Sequence, residues 1–142
     1  MNKQKIIIDN SSADSDALTK FIGSYTSAQN IPEILLKDLR LVSEEIFINI
    51  VNYAYPENET HKITIELWHT ENSINITFID TGRAFNPLVG CTPSIETDDH
   101  CEGGMGIHLI KSLTDNQKYN RINERNIFTI TKHYTIQNIT KE

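Results

Sequence analysis

The sequence predicts an α+β domain, a two-layer sandwich in which a mainly antiparallel mixed sheet carries its helices on one face. Two long segments with helical periodicity come early in the chain, alternating apolar segments come later, and a short helical segment separates two strand pairs. The chain has 142 residues, 38% of them hydrophobic, which suits one folded domain with a single core. We therefore expect residues 1–142 to form one domain.

The first half of the chain predicts one strand followed by two helices. Residues 6–9 are a short apolar run and predict a strand. Residues 10–15 include several helix-capping side chains, so we expect a helix from there to about residue 27. Pro32 and Glu33 suit the first turn of a longer helix, which extends to about Tyr53 because Pro56 stops it.

The second half predicts two strand pairs and one helix. Residues 62–69 and 74–79 alternate between apolar and polar side chains and predict a pair of strands. Residues 82–103 have no clear period and predict a long loop. A helix is expected at residues 106–113, and a hairpin is expected from residues 117–122 and 127–134, with its turn at residues 123–125.

Composition excludes several classes of partner. The net charge of −6 argues against a nucleic-acid ligand, since no basic patch dominates. No apolar stretch approaches the roughly 18 residues of a membrane span, and no apolar segment typical of a secretory signal follows the N-terminus, so we expect a cytoplasmic protein without a membrane partner. Cys91 and Cys101 lie in the predicted loop, where we expect reduced thiols, with a disulfide or a metal site as alternatives.

A narrow polar stripe interrupts the apolar C-terminal half of the second helix. Glu45, Asn49 and Asn52 follow one another at spacings of four and three residues and therefore share one side of the helix. A solvated face is the simplest explanation, but short amide side chains are poor helix formers, and buried polar groups need partners. An Asn carbonyl oxygen can bind Mg²⁺, and a Glu one turn earlier can accept a proton from an attacking hydroxyl.

Two further segments have features of a ligand site. Asp80, Thr81 and Gly82 follow an apolar strand, where a carboxylate can accept a hydrogen bond from a flat ligand, although an ordinary turn also uses Asp and Gly. Aspartic proteases contain the same three residue types, but their fold is almost entirely β. Four residues precede the third helix, where backbone N–H groups can bind a phosphate: Gly103, Gly104, Met105 and Gly106.

Taken together and in order, these segments resemble the ATP-binding (Bergerat) fold of the GHKL superfamily, which includes DNA gyrase and histidine kinases. In detail they are similar to the anti-sigma-factor serine kinases. The resemblance covers most of the chain and is carried by residues 42–55, 80–87 and 103–111, which read VSEEIFINIVNYAY, DTGRAFNP and GGMGIHLIK.

The resemblance implies a role for each residue of the site. Glu45 would be the catalytic base, and Asn49 would be the Mg²⁺ ligand. Asp80 would bind the adenine amino group, with Gly82 keeping that pocket open. Residues 86–102 would form the ATP lid. The remaining ATP-binding residues would contact or support the phosphates: Asn52, Gly104, Met105 and Gly106.

One position departs from the family pattern. Many relatives carry a Gly-Thr pair on the last strand, whose Thr helps to bind adenine. The corresponding residues here are Arg125 and Asn126. Either Asn126 substitutes for the Thr or the contact is missing, so Asn126 is not included in the predicted site.

The resemblance also implies a function. The anti-sigma kinases use Mg-ATP to phosphorylate a serine of an anti-anti-sigma (STAS-domain) protein, hold a sigma factor and are usually homodimers. The short, acidic chain fits such a kinase better than a gyrase-like enzyme. The alternative is a non-catalytic binding module in which bound ATP controls the affinity for a protein partner. The presence of Glu45 favours the kinase, because a pure binder needs no base.

Overall fold

The computed structural model describes residues 3–89 and 103–135, and it contains five strands and three α-helices in these ranges. Short 3-10 turns at Ser12–Asp14 and Glu33–Leu35 lead into the first two helices. In chain order the elements are β1 (Gln4–Asp9), α1 (Ser15–Ala28), α2 (Leu36–Tyr53), β2 (Lys62–His69), β3 (Ser73–Asp80), α3 (Gly103–Leu113), β4 (Asn116–Ile122) and β5 (Arg125–His133).

The strands form one sheet in the order β1-β2-β3-β5-β4. Each pairing is antiparallel, which confirms the predicted α+β class. The parallel pair that a mixed sheet would contain is not found among the described strands. Between β3 and β5 the register places Asp80 directly opposite Asn126. The end of β3 and the start of β5 therefore meet at one edge of the molecule.

One face of the sheet packs against the helices and forms the core. Alternate residues of β2, β3 and β5 are buried there, as expected for strands with one covered face. Helix residues of the same cluster include Leu18, Leu39, Ile46 and Ile110. On the opposite face, hydroxyl and amide side chains bond across the strands: Thr77 Oγ1 lies 2.8 Å from Thr129 Oγ1, and Thr131 Oγ1 donates to Asn75 Oδ1 at 2.6 Å.

The third helix begins earlier than the sequence suggests. The sequence predicts a helix from residue 106, with Gly103, Gly104 and Met105 before it, whereas α3 includes these three residues in its first turn. Glycine is a poor helix former, which favours a loop in any estimate from local sequence. Where α3 packs against α2, position 106 must lack a side chain, so the glycine at that position reflects this contact and not a loop.

The hairpin between β4 and β5 turns within two residues. Asn123 and Glu124 have φ values of 53° and 62°, and Arg125 already belongs to β5. Positive φ at both central residues is the mark of the type I′ turn, whose twist matches that of the paired strands. The predicted three-residue turn was therefore one residue too long. Residues 90–102, which include most of the predicted lid together with Cys91 and Cys101, lie outside the described ranges.

Candidate functional site

Helix α2 carries its polar stripe from the protein interior to the surface. Glu45 is half-buried, Asn49 is buried with 6% of its surface exposed, and Asn52 is exposed. The Asn49 side chain makes no hydrogen bond to any residue that the structure describes. The amide atoms of Asn49 are not among the buried side-chain atoms that lack a partner in the described part of the chain, where only Ser43 Oγ is of that kind. Its carbonyl oxygen is therefore available to a hard cation or a polar ligand.

Glu45 lies against the first turn of α3. At Gly106 a Cβ atom would collide with Oε2 of the Glu45 carboxylate, so only glycine leaves that carboxylate in place. The first turn of a helix has backbone N–H groups without an intrahelical acceptor, and it is the positive end of the helix dipole. Gly103 and Gly104 belong to the same turn. The structure therefore brings Glu45 and the glycine segment together.

The turn after β3 is attached to the other end of α2. The backbone N–H of Arg83 donates to the Ala54 carbonyl at 2.9 Å, and Arg83 Nε donates to the Tyr53 carbonyl. A Cβ at Gly82 would collide with the carbonyl oxygen and Cβ of Ala54. Glycine at position 82 is thus needed for close packing on α2, and its role in keeping the adenine pocket open stays a prediction.

Three successive turns of α2 therefore organise the site. Glu45 contacts α3, Asn49 lies in the middle, and Tyr53 is joined to the turn after β3, with its ring 5.5 Å from that of Phe85 between centroids. The distance along the helix from position 45 to position 53 is about 12 Å at 1.5 Å per residue. A single rigid element thus sets the separation between the glycine turn and the Asp80 turn.

One carboxyl oxygen of Asp80 is already hydrogen-bonded within the protein, and the other is available to a ligand. Its carboxyl is buried, and its Oδ1 accepts hydrogen bonds from the Gly82 N–H and from Asn126 Nδ2, both at 2.8 Å. Its Oδ2 has no hydrogen-bond donor among the described residues. Burial raises the pKa of Asp80, while the bonds from Asn126 and Gly82 and the charge of Arg121 act in the opposite direction. Oδ2 is therefore the atom that can accept a bond from a ligand.

Asn126, which the predicted site does not include, is bonded directly to Asp80. Its amide makes further bonds to Tyr119, Arg121, Phe85 and Arg83, so it has no capacity left for a ligand atom. Of the two alternatives stated for this position, these bonds favour the second, in which the usual contact with the ligand is missing, and the NH₂ group of Asn126 is bonded to Asp80 instead. The signal that could have found it is the strand register, which pairs position 80 with position 126.

Asn52 lies in a different environment from Glu45 and Asn49. It lines an open cleft of about 550 Å³ at the end of α2, together with Tyr55, His61 and Arg83 among others. Tyr55 and His61 stack there with their ring centroids 4.3 Å apart. Neither Glu45 nor Asn49 lines this cleft. Asn52 is thus the exposed end of the stripe and lies beside this cleft.

Comparison with known proteins gives a consistent result. A family model described as the histidine kinase-like ATPase domain matches residues 10–132. The serine-protein kinase RsbW of Bacillus subtilis is 29% identical over 86 residues, which are 56% of this chain and 54% of that protein. The serine/threonine-protein kinase BtrW of Bordetella bronchiseptica is 28% identical over 97 residues, covering 67% of this chain and 68% of that protein.

A second RsbW, from Oceanobacillus iheyensis, is 32% identical over 91 residues, covering 60% of this chain and 58% of that protein. The chain thus matches little more than half the length of the two RsbW proteins. Among the helices of residues 3–89 and 103–135, none combines the length and the apolar character that a membrane crossing requires.

Proposed function

Because the chain belongs to the histidine kinase-like ATPase domain family, we propose that it binds Mg-ATP and transfers the γ-phosphoryl group to a serine of a protein partner. One observation carries this proposal: Glu45 lies against the first turn of α3, and Asn49, which is largely buried and makes no hydrogen bond to a described residue, follows one helical turn later. On α2, a carboxylate and a candidate Mg²⁺-ligand oxygen thus lie on neighbouring turns. The N-terminal end of α3, which could bind phosphate, lies next to the carboxylate.

Each part of the substrate has a candidate partner. Oδ2 of Asp80 would accept a hydrogen bond from the adenine amino group. The first turn of α3, with Gly104, Met105 and Gly106, would donate backbone N–H groups to the phosphates. Bound Mg²⁺ would neutralise phosphate charge, and the Asn49 carbonyl oxygen would be its protein ligand. Asn52 would support Asn49 or bind phosphate from the helix surface.

Glu45 would act as the base in the transfer step. The serine oxygen forms a bond to the γ-phosphorus, the bond from that phosphorus to the leaving oxygen of ADP breaks, and the hydroxyl proton passes to the Glu45 carboxylate. A positioned carboxylate of this kind contributes about 10²- to 10⁴-fold to the rate. The contact with Gly106 supports this role, because it holds the carboxylate at the helix end where the phosphates would bind.

The protein partner is proposed from the relatives. RsbW and BtrW are named serine-protein and serine/threonine-protein kinases. By the resemblance to anti-sigma-factor kinases, the acceptor would be a serine of a STAS-type antagonist in a partner-switching system, with a sigma factor as a further ligand. In this proposal residues 1–142 form one ATP-binding domain with a lid at about residues 86–102, and the protein is a cytoplasmic homodimer.

Label transfer tests the proposal. The purified chain is incubated with Mg²⁺, γ-labelled ATP and a purified STAS-domain protein. We expect label on a serine of that protein. The Glu45→Gln variant should bind Mg-ATP as the parent does and lose transfer by at least about a hundredfold. Glu44→Gln is the matched control, because Glu44 lies in the groove between α1 and α2 and should leave transfer unchanged.

Two results would contradict this assignment. Loss of ATP binding in Glu45→Gln with normal turnover of the bound fraction would remove Glu45 as the base. ATP binding without transfer to any STAS protein would leave the alternative function, a binding module in which the nucleotide controls affinity for the partner.

A further inference from the structure

We propose that Asn126 is a positioning residue of the nucleotide site, whose amide holds the Asp80 carboxyl in one orientation and so presents Oδ2 to the amino group of the purine. The inference rests on the proposed function for the identity of the ligand. The positioning itself is a property of the protein and can be measured without nucleotide.

The backbone places the two residues face to face. Asp80 ends β3, Asn126 lies next to it on β5, and the antiparallel register pairs them directly. Both side chains are buried, with 3% exposed in each case. Asn126 Nδ2 donates to Asp80 Oδ1 at 2.8 Å, and the Gly82 N–H donates to the same oxygen at 2.8 Å. Rotation of the carboxyl would break both bonds.

The amide of Asn126 is itself held in one orientation. Its Oδ1 accepts from the Tyr119 hydroxyl, from Arg121 Nη1 at 3.1 Å and from the Phe85 N–H at 3.2 Å. Its Nδ2 also donates to the Arg83 carbonyl at 2.8 Å. Donors surround the carbonyl side and acceptors surround the NH₂ side, so a flipped amide would lose its partners. Asn126 therefore acts through Asp80 and not on the ligand.

Arg121 extends the same network to the turn after β3. Its Nη1 also donates to the Gly82 carbonyl at 2.7 Å. This guanidinium from β4 and the hydroxyl of Tyr55, which follows α2, are the other charged or titratable groups that interact with Asp80. Burial raises the pKa of Tyr55 above its ordinary value, so Tyr55 is neutral in the physiological range. Arg121 is thus the one cation among the described residues that stabilises the Asp80 carboxylate.

The orientation matters only while Asp80 is ionised. Burial raises the pKa of Asp80, and the Asn126 bond is the largest effect that opposes it. A protonated carboxyl would present an O–H donor to the ligand and could no longer accept a bond at that oxygen from a purine amino group. Asn126 thus keeps the Asp80 site an acceptor and favours an aminopurine over an oxopurine.

The test compares Asn126→Leu, which has the same branched shape but is larger and has no donor, with Asn126→Thr, which retains one hydroxyl donor. Carbon-13 NMR follows the titration of the Asp80 carboxyl without nucleotide, and calorimetry gives the affinity for Mg-ATP and Mg-GTP as a function of pH. The matched control is Thr129→Val, which removes the bond to Thr77 on the opposite face of the same two strands.

In Asn126→Leu we expect the Asp80 titration to move to higher pH and Mg-ATP binding near neutral pH to weaken by about tenfold. The preference for ATP over GTP should fall with it, while turnover at saturating ATP should be retained. Asn126→Thr should show smaller changes in the Asp80 titration and in the Mg-ATP affinity. Thr129→Val should change neither the titration nor the affinity.

An Asp80 titration unchanged in folded Asn126→Leu would overturn the positioning role, whether or not the parent binds ATP. If Asn126→Leu fails to fold, an unchanged titration and unchanged ATP preference in Asn126→Thr would overturn it equally. A parent that does not bind Mg-ATP, together with a shifted Asp80 titration in the variants, would refute the proposed function and leave Asn126 as the residue that holds Asp80.

Discussion

Asp80 has 3% of its surface exposed, and burial raises its pKa above the value of a solvated carboxyl. The native state therefore holds the Asp80 proton more tightly than the unfolded chain does. By linkage, the protonated carboxyl favours folding at low pH, and this stability is lost as the pH rises through the native pKa. At neutral pH the ionised side chain lowers the free energy of unfolding, which is typical of residues retained for function.

Substitution of Asp80 by Asn should separate stability from binding. The amide oxygen can accept the bonds from Gly82 and Asn126, and the buried charge is removed. We expect the free energy of unfolding at pH 7 to be higher than that of the parent by up to about 1 kcal/mol. This difference should shrink as the pH falls, because the parent carboxyl then becomes protonated and neutral. Mg-ATP binding should be lost.

Urea denaturation at several pH values and calorimetry with Mg-ATP measure both effects. Parental affinity for Mg-ATP in this variant would remove Asp80 from the nucleotide site.

At the scale of single residues, the sequence predicts functional residues that belong to a local motif. It does not predict a residue whose role depends on contacts with residues far away in the chain. Glu45, Asn49 and Asp80 were selected because spacing and neighbouring glycines mark them. Asn126 lies between the predicted turn and the strand predicted at residues 127–134, and its importance arises from bonds to residues of β4 and of the segment after β3. Those bonds exist only after the strands have paired.

Among the structural elements, α3 shows how packing can override local preference. Its first turn contains Gly103, Gly104 and Gly106, and glycine in a helix is less favourable than alanine by about 1 kcal/mol. The close approach of α2 explains why position 106 is glycine, since the Glu45 carboxylate occupies the space that a side chain would need.

The Gly106→Ala variant should therefore keep its fold and lose activity. Alanine improves the helix by about 1 kcal/mol, and the added methyl group pushes away only the end of the flexible Glu45 side chain. A displaced base should slow phosphoryl transfer by about a hundredfold. Thermal unfolding and label transfer are the measurements. Ser112→Ala, on the exposed end of the same helix, is the control for the gain in helix propensity.

A fully active Gly106→Ala variant would show that the position of the Glu45 carboxylate in the structure is not the position used in transfer.

The β4–β5 turn offers a test of backbone strain. Glu124 has a φ of 62°, in the left-handed region that glycine adopts without a steric penalty. Glu124→Gly should raise the free energy of unfolding by about 0.5–1 kcal/mol, because relief of the steric conflict exceeds the entropy that glycine adds to the unfolded chain. Asn123→Gly is the matched control, since asparagine tolerates this conformation and little should change.

Chemical denaturation of the two variants gives the comparison. Equal changes in both would mean that Glu124 is not strained in the turn.

The sequence predicts the bounds of helices and strands well where proline or hydrophobic alternation marks them. It predicts them less well where tertiary packing sets the bounds. The end of α2 and the bounds of β2 agree with the sequence-based estimate, because proline and alternation mark them. The start of α3 and the length of the β4–β5 turn differ, because tertiary contact and backbone handedness are not visible in hydrophobic periodicity.

For the molecule as a whole, the candidate site connects separate parts of the fold: α2, the segment after β3, and α3. A ligand that binds all three only in the folded state must stabilise that state. Mg-ATP at a hundred times its dissociation constant should raise the free energy of unfolding by about 2.7 kcal/mol, which is a rise of several degrees in Tm.

Thermal scans with and without Mg-ATP provide the measurement. The shift should persist in Glu45→Gln, which retains the binding groups, and vanish in Asp80→Asn. A shift of equal size in Asp80→Asn would place the nucleotide elsewhere on the molecule.

The pairing of Asp80 with Asn126 also has a consequence for the order of folding. These residues are 46 positions apart in the chain, whereas the hairpins β2–β3 and β4–β5 each close over a few residues. Local hairpins form quickly, and distant contacts come later because a long loop must close first. The adenine end of the site is thus created when two preformed hairpins dock, and a folding intermediate that lacks this step would contain the four strands of the hairpins but no purine pocket.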